Sequence, residues 1–230
     1  MPGSDVRALA VHFRVPALGG AATAVALLAL GRGALADPPR SAGVPLILAA
    51  AEAVLLLAVV PFARRPAAWI VALVLGGTLA RALAPGPFAA VDAVVLLGWG
   101  GALLGLRVLL RSGVATAAVG ALAIASLTWS GPWIEASGDP GLGVALAIRV
   151  NPVAAIAYGG HDLDWARLRP VTYGQFVGQY HLFRPPTAGE AAATWIAAGL
   201  VGAGIAFAAH RGERRRRGSS AATDGGRGIH

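Results

Sequence analysis

The chain of 230 residues has no cysteine, and among its 19 basic residues there is no lysine. The first absence excludes disulfides, thiolate metal sites and cysteine nucleophiles, and it leaves the redox compartment unreadable. The second, with the abundance of Ala and Gly, points to a GC-rich bacterial genome rather than to a mechanism. Charge is scarce as well. Charged residues make up 13% against about 25% in an ordinary soluble domain. No phosphate-binding loop, nucleotide fingerprint or Ser-His-Asp arrangement occurs, so no cofactor is expected.

What is present is apolar residue, 56% of the chain. A soluble fold of this size lacks the polar residues to cover its surface, so the surplus is expected to face lipid. Six runs approach the roughly 20 residues that cross a bilayer: 16 to 36, 42 to 62, 66 to 84, 88 to 110, 113 to 134 and 188 to 209. Short breaker-rich turns join them, such as Asp37-Pro38-Pro39-Arg40, Ala63-Arg64-Arg65-Pro66 and Pro85-Gly86-Pro87. The expected fold is therefore an all-α integral membrane protein of six transmembrane helices. A short-helix extracytoplasmic segment, 135–187, lies between spans five and six.

Arginine sorts by side. Arg7 and Arg14 precede span one, Arg64 and Arg65 follow span two, Arg107 and Arg111 end span four, and Arg211 with Arg214 to Arg217 follow span six. Basic residues in short loops stay on the cytoplasmic side. That bias puts residues 1–15 and the tail 210–230 in the cytoplasm of a bacterial inner membrane, with spans one to five over 16–134 and span six over 188–209. Residues 7–36 also read as a signal peptide ending at Ala34-Leu35-Ala36, and cleavage would leave five spans in the same orientation. A seventh span at 141–159 is rejected because it would put the Arg-rich tail outside. The tail, expected to be disordered beyond Gly218, reads as an anchor to anionic lipid; a nucleic-acid patch would need aromatic residues and more length.

Three ionisable residues fall inside spans, where they are expensive and mark candidate sites. Arg81 and Asp92 sit at one depth on either side of a turn and are expected to pair as a structural staple. Glu52 falls near the middle of span two with no basic residue at its depth, Arg32 being the nearest. It is expected to be a hydrogen-bonded neutral acid, or else part of a proton or cation relay. Gly101 and Gly105 form a GxxxG match, and span six carries Gly199, Gly202 and Gly204, a pattern of close helix packing that does not tell an internal contact from a partner subunit.

The outward segment is built from start signals. Asp139-Pro140 and Asn151-Pro152 each cap a short apolar helix, expected to be interfacial or re-entrant, with Gly159-Gly160 ending the second. Thr187 and Glu190 match a capping box at span six. In between, His161, Asp162, Asp164 and His181 are the candidate catalytic or metal-binding set, although their spacing matches no metal motif. Tyr173, Phe176 and Tyr180 recur at helical spacing as a candidate docking stripe.

The layout is similar in outline to permease subunits of bacterial exporters, an analogy of architecture that no motif carries. It implies a non-catalytic membrane subunit of a transport or export assembly, whose partners would be the lipid bilayer, other membrane subunits or an ATPase. The alternatives are a membrane enzyme with its site on residues 158–184, and a membrane sensor or scaffold.

Overall fold

The computed structural model describes residues 15–27, 29, 44–83, 90–126, 140–161 and 186–224, which are helical apart from the short turns between helices, with no strand among them. In chain order the helices are α1 (Val15–Leu27), α2 (Val44–Val59), α3 (Pro66–Leu83), α4 (Ala90–Leu110), α5 (Gly113–Ile124), α6 (Pro140–Val150), α7 (Pro152–His161) and α8 (Ala188–Asp224). Helices α3 and α4 and the Ala188–Glu213 part of α8 are long and apolar enough to cross a membrane. The other three expected spans correspond to shorter apolar helices, Val15–Leu27, Leu46–Val59 and Gly113–Ile124. Span five in particular, expected from 113 to 134, is helical to Ile124, where Ala125 caps it with φ −85° and ψ 8°. Residues 127–139 lie outside the described residues.

The bundle is apolar on its outside as well as in its core, and it buries three charged residues. Glu52, Arg81 and Asp92 are at most 1% exposed, while Leu75, Leu200 and Phe207 are each about two-thirds exposed on the outside. In water that apolar surface would be costly and prone to associate; against acyl chains it has no such penalty.

Close packing is organised by small residues. Along the α4–α8 seam a Cβ on Gly101 would lie 2.8 Å from Gly199 Cα, and one on Gly105 would lie 2.5 Å from Gly202 Cα, so neither site admits a side chain without separating the helices. The GxxxG match is thus an internal contact. Above it Trp195 of α8 meets Trp99 of α4 edge to face, with centroids 5.7 Å apart and planes at 86°. Trp99 Nε1 also donates to the carbonyl of Ala53 at 3.2 Å, tying α4 to α2 one residue from Glu52.

Helix α7 is the most enclosed element, with Ala154, Ile156 and Ala157 fully buried among α2, α4, α5 and α8. A helix can be buried this way only if its start is satisfied from within. Asn151 does this. Its Oδ1 accepts from the backbone N–H of Val153 and Ala154 at 3.0 and 3.1 Å, and its Nδ2 donates to the carbonyl of Ile124 at 2.6 Å. Ser126 Oγ donates to the carbonyl of Ala147 at 2.8 Å, so the α6–α7 turn is stitched to the end of α5 by side chains. The capping box at α8 forms as well: Glu190 Oε2 accepts from Thr187 N–H at 2.8 Å, and Thr187 Oγ1 accepts from Glu190 N–H at 3.3 Å.

Two boundaries differ from the sequence expectation. Gly159-Gly160 does not end α7, which runs on to His161. Gly159 is there for approach, since a Cβ on it would lie 2.8 Å from Ala191 Cβ of α8. The tail is not disordered throughout, because α8 continues through the Arg run to Asp224. Arg, Glu and Ala are good helix formers, no proline interrupts residues 188–224, and a helix nucleated against α4 extends without a new nucleus.

Candidate functional site

Side chains in a helix lean toward its N-terminus. In α2 and α4 that lean points to the end of the bundle where α3 stops, and in the antiparallel α3 it points the other way. Arg81, near the end of α3, therefore throws its long side chain back about one turn, roughly 5 Å. Glu52 reaches forward to meet it. Arg81 Nη1 donates to Glu52 Oε2, both side chains being 0% exposed. Gly77, one turn before Arg81, makes room, since a Cβ there would fall on the Glu52 carboxylate. Thr78 Oγ1 takes a second bond from Arg81 Nη2 at 3.2 Å.

Asp92, in the first turn of α4, leans away from this contact. Its Oδ2 is 3.8 Å from Arg81 Nε, an ion pair without a hydrogen bond. The closer partner is His161, the last residue of α7, whose Nε2 lies 2.9 Å from the same oxygen and whose side chain is 1% exposed. Four helices thus bring Glu52, Arg81, Asp92 and His161 into one chain of contacts walled by apolar side chains. Among the described residues, Glu52 Oε1, Arg81 Nε, Asp92 Oδ1 and His161 Nδ1 have no hydrogen-bond partner.

These positions correct two expectations. Glu52 is not alone, because Arg81 is its partner; counting Cα depth concealed this, since the two side chains close the gap by leaning toward each other. His161 does not stand in an outward metal set, because its ring is turned inward to Asp92. Asp162, Asp164 and His181 lie outside the described residues, as do Tyr173, Phe176 and Tyr180. Among the described residues no three His, Asp or Glu side chains are placed to hold a metal ion. The guanidinium already supplies the positive charge between the two carboxylates. The set is suited to holding or passing a proton: it contains acids, an imidazole that can donate or accept, and a fixed cation.

No family model, curated protein or solved structure matches this chain.

Proposed function

We propose that the chain is a multi-pass membrane protein of a bacterial inner membrane, with both termini in the cytoplasm, acting as a permease-like, non-catalytic subunit of a transport or export assembly. The observation that carries this reading is the enclosed set Glu52, Arg81, Asp92 and His161 within an apolar bundle. Ionisable residues persist inside membrane helices chiefly where they move ions, relay protons or drive a change of state.

The charge balance gives the set something to do. Two carboxylates and one guanidinium leave it one negative charge, which low-dielectric surroundings penalise by several kcal/mol. One proton, on the imidazole or on a carboxyl, makes it neutral. Arg81 stands between both acids, bonded to Glu52 and 3.8 Å from Asp92. His161 and the guanidinium approach the same carboxylate oxygen of Asp92, so the two compete for one acceptor. His161 is turned to this set and contacts Asp92, which favours its counting among the buried groups.

The test is composition and activity together. The tagged full-length chain, extracted directly into lipid nanodiscs, should carry a second subunit in fixed stoichiometry, with an ATPase the expected class. A chain that stays alone and turns over a substrate by itself would overturn the reading in favour of an enzyme.

A further inference from the structure

At the opposite end of the bundle from the buried acids, a cavity of about 790 Å³ opens between α4 and α8. Its polar lining is Arg107, Arg111, His210 and Glu213, and its apolar wall includes Leu104 and Val108. The charges do not cancel: two guanidiniums face one carboxylate, and His210 adds a further positive charge when protonated. Arg107 Nη1 donates to the carbonyls of Val60 and Ala63, which pins the guanidinium and leaves its Nη2 and Nε for another acceptor.

Arg111 gives the second observation. It is the one non-glycine residue with positive φ among the described residues, at 51°. Its N–H closes on the carbonyl of Arg107 at 3.0 Å, the left-handed cap that ends α4. Glycine is the usual occupant of that position because a Cβ strains it. The arginine stands there against the local backbone preference, and it lines the cavity.

We propose that this cavity binds the phosphodiester headgroup of an anionic phospholipid. One phosphodiester charge matches the excess of one guanidinium, and planar guanidinium donors suit phosphate oxygens. The apolar wall, with Leu104, Val108 and Ala206 in it, selects a lipid over free phosphate, which would lose water there without return. Basic pockets between membrane helices take such headgroups. The inference rests on the membrane placement proposed above and not on the transport reading.

The test uses the full chain in detergent micelles, melted with added phosphatidylglycerol, phosphatidylcholine or inorganic phosphate. Phosphatidylglycerol should raise the melting temperature, and the other two should not. Arg111→Gly removes the charge while relieving the backbone, so it should fold at least as well and bind phosphatidylglycerol about tenfold more weakly. Arg111→Asn, which also tolerates positive φ, provides a second charge-free variant if the glycine variant misfolds. Arg211→Ala removes an exposed arginine that does not line the cavity and should leave the response intact. An undiminished response in both Arg111 variants overturns the site, as does an equal loss in Arg211→Ala or an equal response to inorganic phosphate. Failure to respond to either lipid, with rapid aggregation in every micelle, would instead strike the membrane reading.

Discussion

The two ends of the helical bundle use arginine in opposite ways. Where α3 hands over to α4, Arg81 is 1% exposed, is bonded to Glu52 and lies between two acids within an apolar enclosure. Where α2 and α4 end, Arg107 is half-buried and bonded to backbone carbonyls, and Arg111 is exposed. The same side chain is a buried counter-ion in one place and a surface anchor in the other. What differs is access to water. Enclosure makes each charge depend on its partners, whereas a guanidinium with access to water contributes little to stability through its contacts within the protein and stays open to an outside anion.

The largest contrast is topological. Because the chain has no cysteine, single cysteines can be placed without background. Arg65→Cys, Arg111→Cys and Arg217→Cys should be shielded from an impermeant thiol reagent added to intact cells, while Tyr173→Cys should react. Labelling of Tyr173→Cys only after the cells are opened would break the assignment of the two ends to two sides.

The next contrast is energetic. Arg81→Ala strands two buried carboxylates and should lower stability by about 3 to 5 kcal/mol, read as a melt in detergent. Combining Arg81→Ala with Glu52→Gln should recover more of that loss than combining it with Asp92→Asn, since Glu52 is hydrogen-bonded to Arg81 and Asp92 is not. Equal recovery from the two double variants would mean that the guanidinium is shared evenly. The smallest effect belongs to the water-facing end. Arg107→Ala should lower stability by about 1 to 3 kcal/mol, because its charged donor holds two backbone carbonyls at a partly solvated site. A loss as large as that of Arg81→Ala would erase the distinction between the ends.

Much of this architecture was legible from local signals. The caps at Asn151, Thr187 and Glu190 act within three residues, so they read correctly in isolation. Small residues at intervals of three and four announced a close helix approach, though only the structure shows that Gly101 and Gly105 meet Gly199 and Gly202 of the same chain. The buried set was half legible. Its three intramembrane members stood out by charge, but their pairing depends on side-chain direction, which reverses between antiparallel helices, and a count of Cα depth ignores it. Two glycines precede His161, and because glycine reads as a helix end the local sequence places it outward. Here Gly159 instead lets α7 close on α8, a tertiary demand with no mark in the local sequence.

The unbroken run of α8 sets a mechanical length. Its 37 residues, at 1.5 Å each, make a rod of about 55 Å, against a hydrocarbon thickness of about 30 Å. Placed across a membrane as proposed, α8 would have about 25 Å of its length left over, continuous with the glycine seam that packs it on α4. The same unbroken helix thus joins the extension to the seam on α4, the helix that carries Asp92 at its other end.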